Sequence, residues 1–511
     1  MRLIVKTVYS GKEKAAAVLL LIADLMVFLT IWLKQEYDQI RVDEILFQLK
    51  SSSTGVHSEL LGSAFVRIGV FSAAVMFLEV LLYKALSGEG ILARRNIIRL
   101  ARSGWLAFAG FVRNHILRLT AGILVVSILV FGITMDIYSF VKSAATKSDF
   151  IQAHYVEPGG AALHFPEQKR NLIYIFLESM ENTYADPQAG AQITDCYIPE
   201  LKSMAEEHVN FSNTDGLGGA LAFPGTTWTA AAMTAQTSGI VVKVALGADT
   251  YGGGDSFLPG ATSIGEILER QGYNQVLLLG SDAEFHGREQ YFTEHGNYTI
   301  VDTDALKEEH RLAEDYEVWW GVEDAKLFAY AKEELTRLAE EGKPFNFTML
   351  TADTHFPDGY RCELCGDAYE SQYANVLACA SRQTAEFVAW IQAQPFYENT
   401  TIVISGDHLT MDGAFMDDID ADYTRTVFNC IINPAVEPVR EKNRQFGTFD
   451  MFPTTLAALG VRIEGDRLAL GTNLFSERAT LAEQYGYDAL TEELQNHSDF
   501  YNDRLLQMEA D

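Results

Sequence analysis

Cysteine is scarce in this sequence. There are five in 511 residues, and all of them (Cys196, Cys362, Cys365, Cys379 and Cys430) fall in the acidic part of the chain described next. That count excludes a small, disulfide-dense scaffold. Positive charge is scarce as well, with 39 Lys+Arg against 69 Asp+Glu and a net charge of −30. The shortage is uneven. Residues 1–150 hold 17 basic and 11 acidic residues, whereas the remainder holds 22 and 58, a net of −36. A body that acidic has no basic patch with which to displace counterions from a phosphate backbone, so nucleic acid is excluded as a partner. Internal repeats and long low-complexity tracts are also missing. What is there is 48% hydrophobic and 21% charged, which is not a disordered composition. The length suggests two to four units. A mean hydropathy of +0.01 beside so large a net charge points to two unlike parts.

The basic end reads as a membrane anchor over residues 1–142. Three runs, 15–33, 62–86 and 116–135, are almost wholly apolar, and each is about long enough to cross a hydrocarbon core of ~30 Å as a helix. A cleaved signal peptide would explain the first run but not the other two. Trp105–Val112 is apolar but short and bracketed by arginines, and reads as interfacial. Arg2, Lys6, Lys12 and Lys14 precede the first run, and Lys84, Arg94, Arg95, Arg99, Arg102 and Arg113 lie between the second and third. The excess of positive charge in these segments places them in the cytoplasm, so three crossings leave everything after about Tyr138 outside the cell. Residues 143–165 read as a linker. Ser143-Ala144-Ala145 within it has the small-x-small form of a cleavage site near Ala145.

Residues 166–511 read as an α/β domain. Short apolar runs at Leu172–Leu177, Val276–Gly280, Phe345–Thr351, Thr401–Ser405 and Val427–Ile432 alternate with amphipathic stretches such as Asp324–Glu341 and Ser381–Gln394. This alternation implies a mostly parallel sheet with helices on both faces, with ligands beyond the carboxyl ends of the strands. Polar residues gather at those ends. The first run ends in Glu178, the third leads into Asp353-Thr354-His355, and the fourth ends in Ser405-Gly406-Asp407-His408. Glu, Asp and His together form an oxygen and nitrogen donor set for Mn²⁺, Zn²⁺ or Mg²⁺. Phe223-Pro224-Gly225-Thr226-Thr227-Trp228-Thr229 combines a Pro-Gly turn with a run of small residues suited to a helix. A Thr226 hydroxyl at the junction either caps that helix or helps to bind an anion there. Cys362-x-x-Cys365 suits zinc or a redox pair, although no second CxxC accompanies it.

In order along the chain, Asn171–Tyr184, Phe223–Thr229, Asp353–Gly359, Ser405–Leu409 and Asp450–Leu456 resemble the membrane-bound phosphoglycerol transferases. That family includes lipoteichoic acid synthase and phosphoglycerol transferase I, within the wider sulfatase and alkaline phosphatase superfamily. The resemblance covers about Asn171 to Phe475 and implies a sulfatase-like fold with a helical transmembrane region before it. It implies one divalent ion, Mn²⁺ foremost with Zn²⁺ or Mg²⁺ as alternatives, held by Glu178, Thr226, Asp407 and His408. It also implies that Thr226 is the attacking residue, on the strength of a thirteen-residue step to Gly239, with Thr227 as the adjacent rival. Arg288 matches a phosphate-contacting arginine, His355 a substrate-pocket histidine, and His286 stands where lipoteichoic acid synthases carry a Trp. The implied activity moves glycerol phosphate from phosphatidylglycerol in the bilayer to an envelope acceptor, with diacylglycerol released. The acceptor would be a teichoic acid chain or other glycerolphosphate polymer, a glycolipid or a glucan. Phosphoethanolamine transfer or another sulfatase-family ester chemistry is the alternative. The glucan-modifying relative carries a cysteine pair in this region, which implies a disulfide from Cys379 to Cys362 or Cys365.

Overall fold

A computed structural model describes residues 10–37, 40–50, 62–86, 102–160, 162–190, 193–244, 256–316, 318–420 and 422–507. The chain divides into two compact units. One comprises residues 1–40 and 56–139, and the other residues 41–55 and 140–511.

Among the described residues, the smaller unit has three helices long and apolar enough to cross a membrane, Gly11–Glu36, Gly62–Lys84 and Gly110–Thr134. The first packs against the other two. A Ser10 capping box starts it: the hydroxyl accepts from the Glu13 N–H and the Glu13 carboxylate accepts from the Ser10 N–H. The third belongs to a continuous helix, Arg102–Thr134, so Trp105–Val112 forms its opening turns rather than a separate interfacial piece. Most of the basic stretch between the second and third runs, with Arg94, Arg95 and Arg99, lies outside the described residues, as do Arg2 and Lys6.

The larger unit is built on a six-stranded sheet. Strand β1 (Leu163–His164) pairs apart from it with Arg462–Ile463. The main strands are β2 (Asn171–Leu177), β3 (Asn274–Leu279), β4 (Thr299–Val301), β5 (Phe345–Leu350), β6 (Thr400–Gly406) and β7 (Asn429–Ile432). Their order is β4-β3-β5-β2-β6-β7, all parallel except β7, which runs antiparallel to β6. Every residue of β2 and β6 is buried. Along β2, Leu172, Tyr174 and Phe176 enter one core, and Ile173, Ile175 and Leu177 enter the core on the opposite face. A strand that is apolar on both sides is what a sheet covered on both faces requires.

Two expectations are corrected. Residues 143–165 are not an extended linker. They include the end of the helix Ile137–Ala145 and the helix Phe150–His154, and Ile151 is buried in the larger unit's core. Apolar residues at Phe150 and Ile151 give this stretch a face to bury, and Val156 pairs with Ala469. The triplet at Ala145 is consequently helical, not extended. The second correction is that Arg41–Gly55, between the first two apolar helices in sequence, belongs to the larger unit. Its helix Val42–Lys50 buries Phe47 and Glu44 there.

Candidate active site

The ends of β2 and β6 lie side by side because the strands are in register from Asn171–Thr400 to Leu177–Gly406. Glu178 follows the first strand and Asp407-His408 the second. Gly406 makes the approach possible, since a Cβ there would stand 1.9 Å from the Met180 carbonyl oxygen. Ser179 takes a left-handed φ of 52°, and its N–H donates to Asp407 Oδ1 at 2.8 Å. The His408 N–H donates to the same oxygen at 2.7 Å. Behind the pair, Gln236 Nε2 donates to the Gly406 carbonyl at 2.9 Å, and Tyr174 donates to the Gln236 carbonyl oxygen at 2.8 Å.

Glu178, Asp407 and His408 are all buried, with ligand atoms that lie within 4.8 Å of one another. His408 Nε2 is 3.6 Å from Glu178 Oε1 and 3.3 Å from Asp407 Oδ2. Its Nδ1 sits 2.7 Å from the Leu409 carbonyl, which assigns the proton to Nδ1 and leaves Nε2 as an acceptor. Asp407 Oδ2 has no hydrogen-bond partner. Burial and the neighbouring Asp407 charge push the Glu178 carboxyl well above its ordinary range. Three acceptors are thus turned towards one another in a dry site, an arrangement that a divalent cation relieves.

The threonine in this cluster is Thr229. Its hydroxyl is 3.4 Å from Glu178 Oε2 and 3.3 Å from His408 Nε2. Thr226 is placed differently. Its hydroxyl donates to the Phe223 carbonyl at 2.9 Å and accepts from the Phe223 N–H at 3.3 Å, closing the Pro224-Gly225 turn on itself. The Thr227 hydroxyl donates to Glu44. The expected helix begins three residues later than Thr226, at Thr229, and ends on Gly239 with a left-handed φ of 69°. Thr226 is therefore not brought to Glu178, Asp407 and His408, and the position expected for it is filled by Thr229. A sequence signal existed: counting one compact, small-residue helix back from the Gly239 cap reaches Thr229.

Arg288 is buried at the N-terminus of the helix Arg288–Glu294. Its Nη2 donates to Ser281 Oγ at 3.0 Å and to the Asp282 carbonyl at 2.6 Å, and its Nε to the Phe285 carbonyl at 3.1 Å. Nη1 is buried with no partner. Burial draws its pKa down to about 10, opposed by Glu178 first among the nearby carboxylates, so the group stays charged at neutral pH. A held guanidinium with one bare donor is suited to an anionic oxygen. His286 has a φ of 59° and packs edge-on against Phe47, and burial with the charge of Arg288 holds its pKa down at about 3, as a neutral ring. His355 is half-buried, with Nδ1 2.7 Å from the Phe356 carbonyl and its ring 4.0 Å from that of Trp320.

Two further features escaped sequence reasoning. Trp319 and Trp320 lie beside His355, and Trp320 also faces the Arg288 guanidinium at 5.8 Å. The adjacent tryptophans were a visible signal. Phe47 and Glu44, by contrast, reach Trp228 and Thr227 from a remote segment that no local pattern connects to the site.

The sulfatase family model matches residues 170–461. Phosphoglycerol transferase I of Escherichia coli O127:H6 is 31% identical over 286 residues, covering 54% of this chain and 35% of that protein. The protein of the same name from Citrobacter koseri matches to the same extent. The chain thus spans 35% of the length of these curated relatives. Among solved structures, an alkaline phosphatase superfamily protein from Vibrio parahaemolyticus shares the fold at a TM-score of 0.51 and 19% identity, over 66% of this chain and 79% of that one. Since the family pattern runs through all six strands and the whole Glu178–His408 cluster, this chain belongs to the sulfatase family.

Proposed function

We propose that this chain is a membrane-anchored phosphoglycerol transferase. It takes glycerol phosphate from phosphatidylglycerol, releases diacylglycerol and passes the group to an envelope acceptor. The carrying observation is the buried set of Glu178, Asp407, His408 and Thr229 with the unpartnered Arg288 Nη1 nearby. The relatives named phosphoglycerol transferase I support the choice of group transferred. Sulfatase chemistry proper needs a Cys or Ser that becomes formylglycine, and a threonine at this position disfavours it.

Glu178, Asp407 and His408 hold one divalent cation, Mn²⁺ in this proposal, with the Thr229 hydroxyl as the fourth protein ligand. When bound, that ion supplies the positive charge that makes a threonine hydroxyl acidic enough to attack and that offsets phosphoryl charge. Thr229 Oγ forms a bond to phosphorus while the bond from phosphorus to the diacylglycerol oxygen breaks. Arg288 Nη1 holds a non-bridging oxygen, and His355 is assigned to the glycerol hydroxyls and the proton taken up by the leaving oxygen. An acceptor hydroxyl then displaces Thr229 and restores it. Trp319 and Trp320 place aromatic rings beside His355, a composition common at sugar-binding sites, which favours a glycan or glycolipid acceptor. The anchor keeps the site at the lipid surface, with the N-terminus inside and the outer unit outside the cell.

The test is peptide mass spectrometry after incubation with phosphatidylglycerol in Mn²⁺ and without acceptor. A glycerol-phosphate adduct on Thr229 is expected, and it should be absent after chelation. An adduct on Thr226 would restore the assignment implied by family spacing, and a fully active Thr229→Ala protein would end the covalent proposal.

A further inference from the structure

Cys362 and Cys365 sit on the loop that follows His355, and Cys379 is on the long helix Gln372–Gln392. Their sulfurs are unbonded and converge. Cys362 Sγ is 3.6 Å from Cys365 Sγ and 3.8 Å from Cys379 Sγ, and all three lie within 4.8 Å of one another. Zn²⁺ binds thiolate sulfur at ~2.3 Å in a tetrahedron, whose edge is then ~3.8 Å. The two distances from Cys362 Sγ match edges of that tetrahedron, and the third lies within 4.8 Å.

The surroundings suit thiolates. The Cys365 N–H donates to the Cys362 carbonyl at 3.1 Å, which closes the tight turn of the C-x-x-C. Gln383 Nε2 donates to Cys379 Sγ at 3.3 Å, and Arg382 Nη2 lies 3.5 Å from the same sulfur. Arg382 Nη2 also donates to the Leu364 carbonyl at 2.6 Å, which holds the turn against the helix. Three thiolates around a divalent ion carry a net charge of −1, and Arg382 is placed to balance it. A disulfide would use two of the sulfurs and leave the third; an ion uses all three.

We infer that Cys362, Cys365 and Cys379 form a second metal site, a tri-thiolate centre for Zn²⁺ separate from the Glu178–His408 cluster. Binding exchanges the three thiol protons for the ion. Among the described residues no other Cys, His, Asp or Glu joins the group, so solvent takes the fourth position. The centre ties the loop that bears Thr354 and His355 to the long helix, and Thr354 in turn donates to the Glu178 carbonyl at 2.6 Å. The ion thus has a structural role one loop away from the chemistry. This centre is an alternative to the disulfide from Cys379 to Cys362 or Cys365 that the family resemblance implies.

The test uses the full chain, purified in detergent without reductant. After loading with Zn²⁺ alone, elemental analysis should find one more metal equivalent in the wild type than in Cys365→Ser or Cys379→Ser, with Cys196→Ser unchanged. Replacing Zn²⁺ by Co²⁺ in the wild type should produce a near-ultraviolet sulfur-to-cobalt charge-transfer band, which a carboxylate and imidazole site does not give. Asp407→Asn should keep that band, so failure of the catalytic proposal and failure of this one are read separately. The cobalt spectrum needs no variant and stands even if a cysteine substitution prevents folding. A disulfide between any two of the three found by non-reducing peptide mapping, or a wild-type protein without the band, would overturn the inference.

Discussion

Thr226, Thr227 and Thr229 differ in what their hydroxyls meet: a backbone carbonyl, the Glu44 carboxylate, and the Glu178–His408 pair. Thr226→Ala loses a turn hydrogen bond, so we expect a stability loss of about 1 kcal/mol by denaturant titration with turnover largely kept. Thr229→Ala should lose nearly all turnover while the protein stays folded. Arg288 allows a separate prediction. Three of its donor contacts fix its position and Nη1 has none, so a lysine cannot keep the first and supply the second. Arg288→Lys should lower kcat/KM roughly 10²-fold with little change in metal content. Glu178, Asp407 and His408 were legible because they fall within two residues of the end of an apolar strand. The threonine was not, because residue type alone cannot say which of three neighbours faces inward. That depends on where the Pro224-Gly225 turn ends and the helix begins.

Elements were more legible than residues. The five strands read from apolar runs lie within two residues of those observed, since continuous burial on both faces writes an uninterrupted apolar signal. Thr299–Val301 is too short to write one, and nothing local marks β7 as antiparallel. The long helix expected from Ser381 starts at Gln372, where the Ser371 hydroxyl caps the Ala374 N–H. The junction of β2 and β6 depends on Gly406. Gly406→Ala should cost about 1–3 kcal/mol, read as a lower unfolding temperature, and should weaken metal binding by displacing Asp407. The helix Val42–Lys50 responds to pH. Burial first and the Asp43 charge second raise the Glu44 carboxyl to about 7, partly offset by Thr227 and Arg41. Its pKa is higher docked than in a released chain, so the docked state is favoured in acid and loses that advantage as pH rises through about 7. Protection of the Val42–Phe47 amides relative to their intrinsic exchange should therefore fall between about pH 4.5 and pH 7, and Glu44→Gln should remove that fall.

At the scale of the whole chain, the sequence's charge contrast matches two units of different kind. Among the described residues, one contains three helices apolar enough to cross a membrane, and the other is an acidic α/β body. What composition could not reveal was ownership of the segments between them. The described residues of 143–165 and of 41–50 both fold into the acidic unit, through side chains such as Ile151 and Phe47 that look unremarkable in a linear string. The proposed orientation carries a direct check. A reporter fused after Asp511 should be active only outside the cytoplasm, and cytoplasmic activity would refute both the orientation and the lipid-headgroup donor.

The helix Val42–Lys50 also bears on how such proteins are made and assayed. Soluble versions of membrane-tethered enzymes are usually produced by cutting after the last apolar helix. Here that cut would discard Phe47, which is fully buried against Trp228 and His286. The remaining protein would keep its sheet and its acidic cluster but would have a greasy hollow beside the threonine turn. Such a product should bind hydrophobic dyes and crystallise with detergent or precipitant in that hollow, and its rate constants would describe an enzyme missing one wall. In the cell the same dependence sets an order of events: a segment translated early must stay undocked until the strands that will enclose it have been made.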